Sequence, residues 1–252
     1  LERIALRIPV IIPARIGSTR FPAKPLAKIL GKPMIQWVCE LSAKAVGEEN
    51  VYVATDSEEI ASVVRALGYK SVMTSASCLT GTDRVAEAMR RISLPMAINV
   101  QGDEPLLDPK LIQAVAERLL MSNGAVVNAA SKVTDPQEMS SSSLPKMVLS
   151  KSGRLLYASR TLLPGAKDSN DLQSRTVHKQ VCVYGFHLES LRNFGPQALK
   201  SPLEQFEDIE ILRFLEADIP VEILVSESLS VAVDFPEDIA KVEAVLTGLN
   251  ND

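Results

Sequence analysis

The chain is poor in the residues that most often announce chemistry. Its 252 residues include three cysteines and two histidines. Cys39, Cys78 and Cys182 are scattered, odd in number and without a CxxC pair, which argues against a zinc site or disulfide framework and for reduced thiols. With His178 and His187 as its histidines, the chain offers no defensible Ser–His nucleophile pair. None of its twelve glycines is spaced as GxG, so the dinucleotide fingerprint GxGxxG is missing, and "LGKP" around Gly31 fails the Walker pattern. No apolar run reaches the roughly 18 residues of a membrane span. Arg3, Arg7 and Arg15 interrupt any signal-like apolar segment at the start, so a cytoplasmic protein without membrane insertion is expected.

The net charge of −4 argues against a general nucleic-acid partner, but the charge is unevenly placed. Arg3, Arg7, Arg15, Arg20, Lys24, Lys28 and Lys32 face a single early acid, Glu2. An acidic protein with a locally basic loop points to a small anionic ligand.

Strand-like and helix-like segments alternate through the first half. "PVIIPA", "VYVATD", "YKSVMT" and "PMAINVQGD" read as strands. Between them, "PMIQWVCELSAKAV", "SEEIASVVRALG" and "TDRVAEAMRRI" read as helices, the second with Ser57 as N-cap and the third opened by Thr82. "DPKLIQAVAERLLMSNG" is a helix with Asp108 as N-cap, Pro109 at its first position and Gly124 at its end. This alternation predicts βαβ units and a doubly wound, mostly parallel α/β sheet.

The second half differs. "LPKMVLSKSGRLLYASR" reads as a hairpin around "SKSG", "KQVCVYGFH" and "IPVEILV" as strands, and 203–218 as one acidic amphipathic helix. A last helix is expected from Pro236. The expected organisation is a single domain, 1–252, with an inserted β-rich lobe at about 130–200. Trp37 is expected to be core packing.

Open α/β sheets bind ligands beyond the carboxyl ends of their strands. Four stretches fall there: Arg15 to Lys24, "ATDS", "VQGDEP" and "VDFPED". The first offers Arg15, Arg20, Lys24, Ser18 and Thr19, a set suited to phosphate oxygens. Asp103 and Asp234 each follow a strand; each is either a turn former or one of a pair that shares Mg²⁺, which prefers few carboxylates plus substrate phosphates. Gly81, Thr82 and Arg84 open a helix, as an ordinary cap or as an anion site.

Together, "IPARIGSTRFPAKPLAKILGKPMI", "VYVATDSEEI", "TGTDRVAE", "NVQGDEPLL", "LLYASR" and "VDFPEDI" resemble the 3-deoxy-manno-octulosonate (KDO) cytidylyltransferases, in order and over nearly the whole chain. The resemblance implies a Rossmann-like fold with a dimerisation lobe, a homodimer, and Mg²⁺-dependent transfer of CMP from CTP to a 2-ulosonic sugar acid. It implies that Arg15, Lys24, Asp103 and Asp234 carry the catalysis. Arg15, Ser18, Thr19, Lys24, Thr82 and Arg84 would bind the nucleotide. Arg20, Gln101, Arg160, Gln180, Tyr184 and Glu210 would face the sugar acid. Asp103 and Asp234 would be the metal ligands. Mg²⁺ is the implied cofactor.

The sequence departs from the family pattern in two places. Gln180 stands where a histidine is usual, with Cys182 in place of glycine, and Ile211 stands where a glutamine is usual. His178 lies two residues away, about 7 Å along a strand, too far to substitute. An isoleucine in the sugar pocket would leave a substrate hydroxyl unpaired, so a different acid, 8-amino-KDO or a nonulosonic acid, is an alternative acceptor. A non-catalytic CTP-binding protein is the alternative of another class.

Overall fold

The structure is a computed structural model, and it describes residues 7–17, 21–165, 167, 176–227 and 231–249. The first half runs β1 (Val10–Ala14), a small hairpin β2 (Lys28–Ile29) and β3 (Lys32–Pro33), α1 (Met34–Val46), β4 (Val51–Thr55) and α2 (Glu58–Ala66). It continues through β5 (Lys70–Met73), α3 (Gly81–Arg91), β6 (Met96–Val100) and α4 (Pro109–Met121). Then come β7 (Val126–Lys132), α5 (Pro136–Ser140), β8 (Lys146–Leu149), β9 (Leu155–Ser159) and β10 (His178–His187). The chain ends with α6 (Pro202–Glu207), α7 (Leu212–Glu216), β11 (Val221–Ser226) and α8 (Asp238–Leu249).

The main sheet has the order β11-β7-β10-β6-β1-β4-β5. Its pairings are parallel except those of β10, which is antiparallel to β6 and β7. The β8–β9 hairpin extends the sheet from one end of β10, while the rest of β10 runs through the sheet's middle.

The expected doubly wound architecture follows from strands buried on both faces. Along β1, Val10, Ile12 and Ala14 join one core with Ile35, Val38 and Ile112, while Ile11 joins the other with Val85 and Met89. A strand covered on both faces has to be apolar throughout, and all of β1 is buried. A third cluster, Ile29, Met34, Val233 and Val242, fastens α8 beside the 231–233 segment. Trp37 packs at its margin and donates its Nε1–H to the Ile29 carbonyl at 3.0 Å.

The helix starts depend on local hydrogen bonding. Ser57 accepts from the Ile60 N–H and Asp108 from the Lys110 N–H, as expected. For α3 the cap is Thr80, not Thr82. Its Oγ1 accepts from the Asp83 N–H, and Asp83 accepts in return from the Thr80 N–H.

Two other expectations change. The single helix over 203–218 is two short helices, because Asp208 adopts a left-handed backbone (φ +52°) and stops α6. The last helix begins at Asp238 rather than Pro236. Local pattern does not predict β7. Its sequence, "VVNAASK", is short of branched residues, yet it lies between β10 and β11 with Val126–Ser131 buried.

Candidate active site

A cleft of about 1390 Å³ opens beyond the carboxyl ends of β1 and β6. Arg15, Lys24, Arg84, Gln101, Asp103, Arg160, Gln180, Tyr184, Glu210 and Asp234 all line it. Ser18, Thr19 and Arg20 lie outside the described residues.

Two strand ends form its base. Arg15 follows β1 directly, is exposed and lines the cleft. Gly102 follows β6, where a Cβ would come within 3.0 Å of the Pro13 carbonyl oxygen. A glycine there lets the two strand ends close together, with Asp103 next in the chain. The third contributor arrives from far along the sequence. The Val233 N–H donates to the Asp103 carbonyl at 2.9 Å, which brings Asp234 alongside.

Lys24 ties these segments. Its Nζ donates to Asp103 Oδ2 at 2.7 Å and to the Val233 carbonyl at 2.9 Å. Ala23, in a left-handed conformation, precedes the short 3₁₀ turn Lys24–Leu26 that holds this lysine.

The opposite wall is the start of α3. Glu210 accepts from the Gly81 N–H at 3.2 Å and from the Thr82 N–H at 2.7 Å. An internal carboxylate therefore takes the two N–H groups suggested above for a ligand anion. Burial pushes the Glu210 carboxyl above its ordinary pKa, against the pull of its hydrogen bonds to Thr82. Thr82 itself is buried and not part of the cleft lining. Arg84 is buried too, donating to Thr74 Oγ1 at 2.6 Å and to Asp56 Oδ2 at 3.0 Å.

Behind Glu210 lies a buried charge network. Arg213 donates to Asp83 Oδ1 at 2.8 Å and to Glu204 Oε1 at 2.7 Å. Burial works against the charged guanidinium, but its hydrogen bonds to Glu204 and Asp83 outweigh that and raise its pKa. Asp83, Glu204 and Arg213 thus bind α3, α6 and α7 together, and none of the three lines the cleft. Ile211 corrects an expectation: it is fully buried in the apolar core with Phe214 and Tyr184 and is absent from the cleft lining.

At the far end, Arg160 joins two loops. Its guanidinium donates to the Ser142 carbonyl at 2.9 Å and to the Asp208 carbonyl at 2.8 Å. Gln180 Nε2 donates to Asn128 Oδ1 at 3.2 Å. Tyr184 is 5 % exposed, and burial raises its hydroxyl pKa well above the ordinary value.

Several cleft residues with ionisable side chains were not singled out from the sequence, Glu104, Lys179 and Glu138 among them. Glu104 follows Asp103, and Lys179 pairs with Glu138 at 2.5 Å on the wall formed by β10 and α5. A signal for Glu104 was present in "QGDEP", where a second acid follows the strand end.

The cytidylyltransferase family profile matches residues 9–224. The chain is 42% identical over 245 residues to the 3-deoxy-manno-octulosonate cytidylyltransferase of Desulfatibacillum aliphaticivorans, covering 96% of this chain and 99% of that one. The chain belongs to this cytidylyltransferase family. Its similarity extends to the 8-amino-3,8-dideoxy-manno-octulosonate cytidylyltransferase of Shewanella sp. (strain W3-18-1), 39% identical over 94% of this chain and 98% of that one. A solved CMP:2-keto-3-deoxy-manno-octonic acid synthetase complexed with CTP superposes with a TM-score of 0.86 at 32% identity, covering 96% of this chain and 99% of that one.

Among the described residues, no group of three or more His, Cys, Asp or Glu is placed to hold a metal ion. The carboxylates of Asp103 and Asp234, on hydrogen-bonded neighbouring segments, nevertheless fit Mg²⁺. That ion typically takes one or two protein carboxylates and fills its other positions with water and substrate phosphate.

Proposed function

We propose that the protein transfers CMP from CTP to the C2 hydroxyl of a 3-deoxy-2-ulosonic sugar acid, KDO in the first instance, and releases pyrophosphate. The observation that carries this reading is the cleft itself. Arg15, Lys24, Asp103 and Asp234 line one cavity with Arg160, Gln180 and Tyr184, in a chain of this family.

The reaction is an in-line displacement. The C2 hydroxyl oxygen gives up its proton to solvent as it forms a bond to the α-phosphorus, the bond from that phosphorus to the bridging oxygen breaks, and pyrophosphate leaves with the bonding pair. Arg15 and Lys24 bind the triphosphate and offset the charge that builds on the leaving group. Gln101, Arg160, Gln180, Tyr184 and Glu210 form the acceptor end, holding the acid in line by position rather than by covalent chemistry. Arg84 keeps the nucleotide wall in place through Asp56 and Thr74. Asp103 and Asp234 would hold Mg²⁺, which supplies charge neutralisation at the phosphates and a lower pKa for the attacking hydroxyl.

We also propose a cytoplasmic homodimer that supplies activated sugar for lipopolysaccharide or surface polysaccharide. Among the described residues, no helix is long and apolar enough to cross a membrane. A second acceptor, 8-amino-KDO, is favoured by one observation: relatives named for it are 38–39% identical, close to those named for KDO.

The test is pyrophosphate release with CTP and Mg²⁺ against KDO, 8-amino-KDO, a sialic acid and no acceptor. Release with KDO is expected. Release with 8-amino-KDO in its place moves the reading to the second acceptor. CTP binding without release from any acid overturns the enzymatic reading.

A further inference from the structure

Strand β10 carries an irregularity where it meets the cleft. Val181 lies opposite Ala129 and Tyr184 opposite Asn128, so Cys182 and Val183 are extra residues on β10 relative to β7. Cys182 and Tyr184, beside the shift in register, and Gln180 just before it all line the cleft. The irregularity also reaches the opposite strand: the Cys182 carbonyl accepts from the Gln101 N–H at 3.1 Å, and its N–H donates to Glu104 Oε1 at 3.4 Å. These flank Asp103.

An insertion of this kind breaks the ladder toward β7 at buried positions. Asn128 repairs it. Its Nδ2 donates to the Val181 carbonyl at 2.9 Å and to the Val183 carbonyl at 2.8 Å. A primary amide supplies two N–H donors and an acceptor on one short planar group. The acceptor end is used as well, by Gln180 Nε2, which sets which way the amide faces. Asn128 is fully buried and does not line the cleft.

We infer that Asn128 is a positioning residue for the acceptor end of the cleft: it holds the 181–184 irregularity in the shape that presents Gln180, Cys182 and Tyr184 to the sugar acid. This rests on the proposed reaction. Asn128 bonds to Val181, Val183 and Gln180, whereas Lys24 bonds to Asp103 and Val233, so the two substrates are expected to respond separately.

The experiment compares the parent protein with Asn128→Asp, which sets a carboxylate against two carbonyl oxygens, and Asn128→Ser, too short to span both. KM is measured separately for the sugar acid and for CTP. Maleimide labelling of Cys182, followed by mass spectrometry without substrate, reports the irregularity directly, because Cys39 and Cys78 are buried. The expected result is a rise of tenfold or more in KM for the acid, a change under twofold for CTP, and at least fivefold faster labelling. Equal movement of both KM values, or an unchanged acid KM, overturns the inference. Should Asn128→Asp fail to fold, Asn128→Ser carries the same comparison. If the parent turns over no acid, the proposed reaction fails on that result, and labelling alone decides: an unchanged rate overturns the positioning role and a faster one supports it.

Discussion

Lys24 and Asp103 are joined by a salt bridge of 2.7 Å. The cation assigned to the triphosphate and the carboxylate assigned to Mg²⁺ thus hold each other in the cleft. Both lie near the surface of the cavity, with 16% and 28% of their side chains exposed, so solvent and substrate reach the pair.

Exchange of either partner separates the two roles. Asp103→Asn is expected to lower turnover about 100- to 1000-fold at saturating Mg²⁺, the range typical for loss of one electrostatic stabiliser. Lys24→Met is expected to raise KM for CTP about tenfold or more, the loss of a charge-assisted contact. Steady-state kinetics at several Mg²⁺ concentrations checks both, and unchanged turnover in Asp103→Asn would remove the metal role.

Arg213 answers to stability rather than to substrate. Arg213→Met leaves Asp83 and Glu204 buried without their cation. The expected cost is about 3–5 kcal/mol in urea unfolding. A loss below about 1 kcal/mol would mean that both acids protonate or reach water.

Ile211→Gln introduces the amide that the family resemblance led one to expect, but at a position inside the core. The expected outcome is a loss of about 1–3 kcal/mol from the unpaired amide. KM for the sugar acid should not improve. A lower KM at unchanged stability would place the side chain in the cleft after all.

Glu210 makes stability depend on pH. Its folded-state pKa is raised by burial above the unfolded value. Between those values the folded state holds more protons, so the contribution is full below the unfolded carboxyl pKa and is lost as pH rises through the raised folded one. Thermal melts across that window should show the parent losing Tm relative to Glu210→Gln as pH rises. Parallel Tm profiles would contradict the assignment.

Much of this fold was legible from local spacing. Ser57 and Asp108 cap their helices as their positions predict, since a cap needs only the two or three residues after it. β7 was not legible. Its alanines and Asn128 carry little strand preference, and pairing with β10 and β11 overrides that. The helix over 203–218 failed for the converse reason: its apolar spacing continues past Asp208, where the backbone turns left-handed and Phe206 is left exposed.

By itself, then, the sequence determined the alternation of strands and helices, the basic loop after β1 and the acids at strand ends, all features of near neighbours. Tertiary structure decided which of these meet. Asp103 and Asp234 are more than half the chain apart, and they come together through the bond from Val233 to Asp103. Glu210 reaches α3 across a similar separation, Ile211 turns into the core beside it, and Asn128 finds the irregular carbonyls of β10. Such contacts depend on how strands are ordered in the sheet, and strand order is set by packing across the whole molecule, which no local pattern encodes.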